Sequence, residues 1–452
     1  MNLSLREIQM PQKAAYIIDV LEKAGFEAYV VGGCVRDSLL GKEPMDWDIT
    51  TSAKPEEVKG LFPHTIDTGI AHGTVTILLQ KEGFEVTTYR IDGKYEDGRH
   101  PTEVTFTPSL REDLRRRDFT INAMAYNHRA GLVDLFHGLE DLQKGIIRCV
   151  GEPLERFSED ALRMMRGIRF AAQLGYEMEP ETFEAIKKLA PSLSKISAER
   201  IQTELVKLMV SDHPDHIRLA YEAGLTEVFF PEFDSMMQQP QLHKHHLYSV
   251  GEHTLVALRH TPKDKVLRLA VLLHDVGKPE TLTVDEKGVT HFYGHPAKGK
   301  ELARTILKRL KFDNDTINLV CKLVYFHDFS TGVQATPKNA RRMLHKIGEE
   351  AFPYLLDIAY ADICAQSEYK REEKLANLAL WRELYQEILK KEYCVSLKSL
   401  AVNGEDLKAI GIPAGKEIGE ILNKLLDLVI ENPAENEKQT LLEFVKMNHL
   451  HR

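Results

Sequence analysis

Apolar and polar positions follow two periods along the chain, and the change between them separates an α/β part from a long helical part. Apolar residues recur at helical spacing over 11–24, and Gly25 predicts the end of that helix. Runs typical of buried strands follow at 28–31, 47–50, 74–79 and 85–89. A segment rich in glycine and charge, 92–101, is predicted to form a loop. The first 140 residues therefore predict a small sheet with helices.

Helical periodicity dominates the rest of the chain. Strand signals fade after Asp134, and the clearest helices are predicted at 160–174, 180–189 and 198–209. A histidine-rich segment at 243–253 opens a further helical region that reaches about residue 370. Because the chain is too long for one hydrophobic core, we expect several domains. Their predicted bounds are 1–140 for an α/β head, 141–225 for a helical neck, 226–375 for a histidine-containing helical domain and 376–452 for a helical tail.

The composition limits the binding partners and the cellular compartment that are expected for this protein. Its 452 residues carry a net charge of −9, which argues against a uniformly basic surface but permits local basic faces for nucleic acid. The five cysteines are scattered and never form a Cys-x-x-Cys pair, so neither a disulfide framework nor a zinc finger is expected. The sequence shows no signal peptide and no apolar run long enough for a bilayer. We expect a cytoplasmic protein without membrane contact, and no stable protein partner is inferred.

A glycine pair followed by two aspartates is the first sign of chemistry. The Gly-Gly turn at 32–33 precedes a predicted helix that carries Arg36, and such a turn offers backbone N–H groups to a phosphate. Asp46 and Asp48 alternate with apolar residues, so both carboxylates are predicted on one face of a strand. Two carboxylates near a phosphate can hold a divalent metal, and their oxygen ligands favour Mg²⁺. The two motifs together indicate metal-assisted phosphoryl or nucleotidyl transfer.

Two later segments offer further polar groups. Arg117 can neutralise a phosphate, while Asp118 and Asn122 can bond ribose hydroxyls or orient other residues. Asp160 and Arg163 are three residues apart in a predicted helix and therefore share one face. An accepting carboxylate beside a donating guanidinium matches the Watson–Crick edges of cytosine and adenine, whereas uracil and guanine would place an acceptor oxygen against the carboxylate. An isolated pair of this spacing is more often a simple ion pair.

The order of these motifs resembles that of one enzyme family. The chain is similar over essentially its whole length to the class II tRNA nucleotidyltransferases, or CCA-adding enzymes, of the bacterial poly(A) polymerase and CCA-adding family, in the form that bears an HD domain. The resemblance is carried by Gly32-Gly33 with Arg36-Asp37, Asp46-Trp47-Asp48, 117–123, Asp134 with Gly138, Glu159-Asp160 with Arg163, and Glu199-Arg200-Ile201. His137 departs from the family pattern, which usually has a glycine before Gly138.

The resemblance implies template-independent addition of CCA to the 3′ end of tRNA, with CTP and ATP as substrates and Mg²⁺ as cofactor. It implies that Asp46 and Asp48 are the catalytic, Mg²⁺-binding residues and that Asp160 with Arg163 selects the base. The residues expected around the incoming nucleotide are Gly33, Arg36, Arg117, Asp118, Asn122, Asp160, Arg163, Arg166 and Arg169. The implied fold is an α/β nucleotidyltransferase head followed by largely all-α neck, HD and tail domains, with neck and tail contacting tRNA.

A second group of metal-type residues lies in the predicted third domain. The doublet His274-Asp275 follows an apolar helix, and further histidines and a carboxylate accompany it in the sequence. This arrangement resembles the HD phosphohydrolase superfamily. The resemblance implies a divalent transition metal held by His253, His274, Asp275 and Asp362, with His295 and His327 extending the site. It also implies phosphatase or 2′,3′-cyclic phosphodiesterase activity, and the alternative is a helical tRNA-binding module whose metal is absent or structural.

Two other functions stay open at this stage. Bacterial poly(A) polymerases share the same head, but they typically carry a Gly-Arg-Arg-Phe segment where this chain has Thr-Gly-Ile-Ala-His-Gly-Thr at 68–74. That difference favours CCA addition. The third hypothesis is a tRNA-binding protein in which the HD site alone is active. The intact set Asp46, Asp48, Asp160 and Arg163 argues against it.

Overall fold

The chain divides into two compact units, Met1–Pro231 and Glu232–Arg452. The computed structural model describes residues 8–93, 104–242, 245 and 247–449. Most of the predicted loop at 92–101 lies outside these residues. The predicted division into four domains is finer than two units and stays a prediction. Among the described helices, none is long and apolar enough to cross a membrane.

The first unit contains most of the strands and the helices that surround them. The strands are β1 (Ala28–Val31), β2 (Ile49–Thr51), β3 (Thr65–Gly69), β4 (Thr74–Leu79), β5 (Glu82–Thr88), β6 (Arg90–Asp92), β7 (Val104–Phe106), β8 (Met124–Asn127), β9 (Gly131–Asp134), β10 (Ile146–Ile147) and β11 (Glu177–Met178). The helices are α1 (Gln12–Lys23), α2 (Gly33–Leu39), α3 (Pro55–Leu61), α4 (Leu110–Arg115), α5 (Gly138–Lys144), α6 (Pro153–Glu159), α7 (Leu162–Leu174), α8 (Pro180–Leu189), α9 (Ala198–Met209), α10 (Ile217–Glu222) and α11 (Thr226–Phe229).

A mixed seven-stranded sheet forms the head, in the order β3-β4-β5-β2-β1-β8-β9 among the described strands. The central strand β2 pairs antiparallel with β1 and parallel with β5, with Ile49 opposite Val86. In α1, Ile17, Ile18 and Leu21 are fully buried, and each such side chain contributes about 1.5–3 kcal/mol of hydrophobic stabilisation. The predicted α/β head is confirmed.

Strand positions follow the hydrophobic pattern closely where alternation is strong. β1 and β4 coincide with the predicted strands at 28–31 and 74–79. In β4, Val75 and Ile77 are fully buried, which fits the predicted alternation. The prediction at 47–50 is shifted, because β2 begins only at Ile49 and the two aspartates precede it. The prediction at 85–89 is also displaced, since β5 spans Glu82–Thr88.

Helices α6 to α9 follow the sheet in the chain and fall within the predicted neck. The helices α8 and α9 have the predicted bounds, and α7 packs against α9. The prediction that one helix spans 160–174 is wrong at its start. α6 ends at Glu159, Asp160 has an extended backbone, and α7 begins at Leu162. Arg200 of α9 forms an ion pair with Asp160 in this break.

The second unit is almost entirely helical in its described part, as the sequence predicts. Its helices are α12 (Pro231–Gln238), which begins at the boundary, α13 (Val250–Arg259), α14 (Lys265–Leu273), α15 (His295–Arg309), α16 (Asn314–Phe326), α17 (Pro337–Ile347), α18 (Phe352–Ala365), α19 (Arg371–Lys390), α20 (Gly404–Ala409), α21 (Lys416–Glu431) and α22 (Lys438–His449). A short hairpin of β12 (Thr283–Val284) and β13 (Thr290–His291), which the pattern did not predict, precedes α15. These elements establish the predicted fold class of an α/β head followed by a largely helical body.

Candidate functional site

The turn between β1 and α2 requires glycine for two reasons. Gly32 has a φ of +82°, which L side chains rarely adopt. A Cβ atom on Gly32 would also lie 3.2 Å from Nη1 of Arg117. The turn therefore lets this guanidinium approach the backbone closely. Gly33 begins α2, and Arg36 follows one turn later, as the sequence predicts.

Three carboxylates lie near the start of β2, those of Asp46, Asp48 and Glu85. Asp46 and Asp48 are exposed and precede the strand, although the backbone carbonyl of Asp48 still accepts a hydrogen bond from Val31 N at 3.0 Å. Continuing the register of β2 with β5 by one residue places Asp48 beside Glu85. The pKa of Asp48 is raised to about 6, chiefly because neighbouring protein atoms reduce the hydration of its carboxylate. The negative charges of Asp46 and Glu85 raise it further. Neighbouring carboxylates whose negative charges repel one another suit a divalent cation.

A buried aspartate ties Arg117 to the same strand. Asp113 on α4 is fully buried and accepts hydrogen bonds from Nη2 of Arg117 at 3.3 Å and from Nε of Arg116 at 2.9 Å. The hydroxyl of Thr50, two residues after Asp48, donates to the same carboxylate at 3.1 Å. Asp113 thus links Arg117 to β2. The positive charge of Arg117 partly offsets the raised pKa of Asp48.

Asp118 and Asn122 connect two predicted nucleotide-binding arginines. Asp118 accepts from Nε of Arg166 at 2.7 Å, and Nδ2 of Asn122 donates to Asp118 at 3.4 Å. The side-chain oxygen of Asn122 in turn accepts from Nη1 of Arg36 at 2.5 Å. Burial alone would raise the pKa of Asp118, but the charge of Arg166 and its hydrogen bond lower that pKa to about 2. The guanidinium groups of Arg36 and Arg166 also lie over the ring of Phe170, at 5.2 and 5.5 Å.

The predicted base-selecting pair lies beside this network but does not share one helix face. Asp160 sits in the break between α6 and α7, where its carboxylate accepts from Nη2 of Arg200 at 2.8 Å and Nη1 at 3.4 Å. Arg163 lies in α7 and forms an ion pair with Glu159. It also donates to the carbonyl oxygen of Arg116 at 3.2 Å. The two side chains are close in sequence, but each has a different charged partner in this structure.

Arg169 occupies the most buried end of the arginine group. Its Nε lies 2.7 Å from the carboxylate of Glu204 on α9, and both side chains are buried. Burial lowers the pKa of Arg169 to about 10, although the charge of Glu204 opposes this effect. The guanidinium also covers the ring of Phe170 at 3.9 Å. These contacts fix the orientation of α7 and of the arginines along it.

In the second unit, the predicted histidines and aspartates assemble into a compact centre. Two groups of potential ligand atoms each lie within 4.8 Å of one another, and they consist of His253, His274 and Asp362, and of Asp275, His295 and His327. The two groups meet through Asp275, whose carboxylate lies 3.2 Å from Nε2 of His274 and 3.6 Å from Nε2 of His327. All six residues that the sequence singles out are therefore brought together.

The four imidazoles of this centre share one hydrogen-bonding pattern. Each Nδ1 lies near a backbone carbonyl oxygen, and since a carbonyl can only accept, each Nδ1 is assigned as the donor. The partners are Ala365 for His253 at 3.3 Å, Val271 for His274 at 2.6 Å, Phe292 for His295 at 2.9 Å and Val324 for His327 at 2.7 Å. Each Nε2 faces the centre, where its lone pair would bind a metal ion, as in metal-binding histidines. When no metal ion lies between them, Nε2 of His253 donates to the carboxylate of Asp362 at 2.8 Å, because a carboxylate can only accept.

Two further observations fit a cation in this centre. Nε2 of His274 is buried and has no hydrogen-bond partner among the described residues. Nε2 of His295 and Nε2 of His327 lie 3.2 Å apart, and two lone pairs facing each other repel unless a proton or a metal lies between them. Burial alone would lower the pKa of His327, but its hydrogen bond with Asp275 and the nearby carboxylate charges raise that pKa to about 9. The centre therefore favours positive charge.

The sequence did not identify several partners of these residues. In the first unit, the sequence did not identify Asp113, which binds two arginines, or Glu204, which is buried beside Arg169. In the second unit, it did not identify Lys278, whose Nζ lies 2.7 Å from Asp275 and 2.9 Å from Gln241. A signal existed for Glu204, since it shares the helical face of the buried Ile201 and Leu208. No comparable signal marks Asp113, because the short helix α4 contains only two apolar residues, Leu110 and Leu114, and charged residues fill its other positions.

Three family models match successive parts of the chain. Residues 28–148 match the poly A polymerase head domain, 175–237 the probable RNA and SrmB-binding site of polymerase A, and 285–445 the putative tRNA nucleotidyltransferase domain 2. The first match covers the sheet, the glycine turn and the carboxylates. The matches therefore extend over both compact units.

Individual relatives cover almost the whole chain. The CCA-adding enzyme of Enterococcus faecalis is 37% identical over 440 residues, which are 96% of this chain and 95% of that protein. That of Levilactobacillus brevis is 38% identical and covers 96% and 97%. The crystal structure of the Bacillus stearothermophilus CCA-adding enzyme in complex with CTP has a TM-score of 0.74 at 30% identity and covers 98% and 99%. This chain therefore belongs to the class II CCA-adding enzyme family.

Proposed function

We propose that the protein adds C, C and A to the 3′ end of tRNA, using CTP and ATP. The proposal rests above all on the group of Asp46, Asp48 and Glu85 beside the guanidinium of Arg117, because nucleotidyl transfer needs both a cation site and phosphate-binding donors. The curated relatives, including those of E. faecalis and L. brevis, are CCA-adding enzymes. In the reaction, the tRNA 3′ hydroxyl attacks the α-phosphate and pyrophosphate leaves.

The head residues have separate tasks in this proposal. Asp46 and Asp48, with Glu85 beside them, would hold Mg²⁺, which would supply positive charge to the triphosphate and the leaving pyrophosphate. At neutral pH Asp48 is ionised, since its pKa of about 6 lies below 7. Arg117 approaches the Gly32 turn and would donate to the phosphates from there. Arg36 and Arg166 would bind the nucleotide from the side of Phe170.

Base selection falls to Asp160 and Arg163 in this proposal. A carboxylate has about four acceptor positions, so Asp160 can keep its ion pair with Arg200 and still accept the amino group of cytosine or adenine. Arg163 would donate to the adjacent ring nitrogen after leaving part of its present contact with Glu159. Arg200 is proposed to orient the Asp160 carboxylate, because it approaches from another helix and engages both carboxylate oxygens.

The decisive experiment offers tRNA that lacks its 3′ CCA to the enzyme with Mg²⁺ and CTP alone, ATP alone, or both. We expect two C residues with CTP and completion to CCA with both nucleotides. Asp48→Asn should abolish incorporation, whereas Asp67→Asn, on the exposed strand β3, should leave it intact. Long A-tails from ATP alone would instead identify a poly(A) polymerase. An absence of incorporation by the unaltered protein would favour the RNA-binding hypothesis.

We further propose that the histidine centre of the second unit is a metal-dependent phosphohydrolase site that acts on phosphomonoesters or 2′,3′-cyclic phosphates. The specific observation in its favour is the set of four imidazoles whose Nδ1 atoms face backbone carbonyls. A transition metal held by His253, His274, Asp275 and Asp362, with His295 and His327 beside it, would supply an activated water. Lys278 lies against Asp275 and could neutralise a phosphate oxygen there.

Metal content and hydrolysis test this second activity together. The purified chain should retain about stoichiometric transition metal after dialysis and hydrolyse a 2′,3′-cyclic nucleotide. His274→Ala should lose both properties, while the control His260→Ala, at the exposed end of α13, should keep them. Tightly bound metal without hydrolysis would support a structural centre, and the absence of both would support a plain helical RNA-binding module.

A further inference from the structure

A stacked pair of aromatic rings lies at the hairpin that precedes α15. The rings of His291 and Tyr293 are 5.3 Å apart between centroids and only 8° from parallel. Tyr293 is 76% exposed, so the outer face of its ring is open to solvent. A large aromatic ring held flat at the surface is typical of sites that stack a base. The ring pair is therefore a candidate surface for a base beside the histidine centre.

The hairpin holds this ring pair in a fixed orientation. Nε2 of His291 donates to the carboxylate of Asp285 at 3.0 Å, because a carboxylate can only accept. The backbone N–H groups of Lys287 and Val289 donate to the same carboxylate, each at 2.9 Å. Asp285 thus joins the turn of the hairpin to the inner ring of the stack. A surface ordered before a ligand arrives loses less entropy on binding.

The hairpin is also joined directly to the histidine centre. The carbonyl oxygen of Phe292, which lies between the two stacked residues in sequence, accepts from Nδ1 of His295 at 2.9 Å. The ammonium of Lys278 lies 5.6 Å from the centroid of the Phe292 ring and 2.7 Å from Asp275. Tyr293 is two residues from His295, so their Cα atoms are within about 7 Å. Side chains that begin this close together can reach the base and the phosphate of one nucleotide.

We propose that Tyr293, supported by His291, forms a nucleobase-stacking surface for the histidine centre, whose substrate is then a nucleotide or RNA 3′ end rather than a small phosphate ester. This inference rests on the proposed phosphohydrolase function and specifies its substrate class. Stacking of one base on an aromatic side chain contributes about 1–3 kcal/mol, which corresponds to roughly 5- to 150-fold in affinity. Because any base has a π-face, the surface selects for the presence of a base and tolerates its identity.

The test compares two cyclic phosphates that differ in the presence of the base. Adenosine 2′,3′-cyclic phosphate offers a base, whereas methyl riboside 2,3-cyclic phosphate has the same ribose and five-membered phosphate ring without one. In the full-length, metal-loaded enzyme, Tyr293→Ala should raise KM for the nucleotide by roughly 5- to 150-fold, with kcat within about twofold. Tyr293→Phe should retain the low KM. The control Tyr16→Ala, an exposed tyrosine of α1 in the first unit, should change neither value.

The two proposals fail in different ways. If the unaltered enzyme hydrolyses both compounds and Tyr293→Ala leaves the nucleotide KM unchanged, the stacking surface is refuted while the hydrolase stands. If the unaltered enzyme hydrolyses neither compound, the hydrolase is refuted. Calorimetric titration with adenosine 2′,3′-cyclic phosphate then tests the stacking surface by itself. Weaker binding to Tyr293→Ala than to the unaltered chain would support the surface. Equal binding would overturn it, since the first unit is identical in both proteins.

Discussion

Replacing Asp113 by asparagine tests whether a buried carboxylate positions the head arginines. Asp113 is fully buried and accepts from Arg116, Arg117 and Thr50. Burial alone would raise the pKa of Asp113, but the charges of Arg116 and Arg117 lower it below its ordinary value. The ionised carboxylate is therefore the form that the folded head stabilises. Asparagine has nearly the same shape, but it removes the negative charge and places an amide donor near two guanidinium groups.

The loss of stability expected from Asp113→Asn depends on how deeply Asp113 and its two arginine partners are buried. Breaking a buried charge pair by changing one partner costs about 3–5 kcal/mol. Here the side chains of Arg116 and Arg117 are 16% and 20% exposed, so water can partly replace the lost partner. We therefore expect Asp113→Asn to lower the free energy of unfolding of the first unit by about 2–4 kcal/mol. The exposed pair of Glu140 with Lys144 provides a matched control, and Glu140→Gln should cause no resolvable change.

Urea unfolding monitored by Trp47 fluorescence measures this loss. The chain has two tryptophans, and replacing Trp381 by phenylalanine in all variants restricts the signal to the first unit. In the same background, KM for CTP and for ATP should rise by a similar factor, about tenfold, because Arg117 would contact phosphates that both nucleotides share. Unchanged stability together with unchanged KM values would refute the argument. Lower stability with unchanged KM values would limit Asp113 to a role in folding.

Three further predictions concern other parts of the molecule. Asp160→Ala should relax discrimination against UTP and GTP while leaving some transfer, measured as single-nucleotide incorporation, and unchanged selectivity would contradict the proposed base contact. Gly138→Ala should destabilise the head by about 1–3 kcal/mol, because its Cβ would lie 2.2 Å from the carbonyl oxygen of Thr120, whereas Gly60→Ala, with open space around it, should not. Calorimetry should show that EDTA weakens CTP binding at least tenfold; equal affinity without divalent metal would contradict a cation site at Asp46 and Asp48.

Local patterns in the sequence predicted the elements whose residues alternate or repeat strongly. The strand Thr74–Leu79 and the helix Ala198–Met209 were predicted at their observed bounds, because burial on one side determines their periodicity. The break at Asp160 could not be predicted in this way. Its partner Arg200 is 40 residues away, and helical propensity continues across the break. Long-range ion pairs of this kind change the local backbone without leaving a periodic signal.

The arginine network of the first unit combines many cations with no excess of positive charge. The arginines that the sequence singled out each have a carboxylate partner, as in Arg36 with Asp37, Arg117 with Asp113, Arg163 with Glu159, Arg166 with Asp118 and Arg169 with Glu204. These five pairs cancel in formal charge, but Asp113 and Glu159 each also pair with a second arginine, Arg116 and Arg156. The three carboxylates near β2 outweigh these two additional cations by one charge, so the region has no excess of positive charge. Such paired arginines keep fixed orientations, but they attract a free triphosphate only weakly over distance. The charge that brings the nucleotide must therefore come largely from cations that accompany it, while the paired arginines determine where its phosphates and base lie.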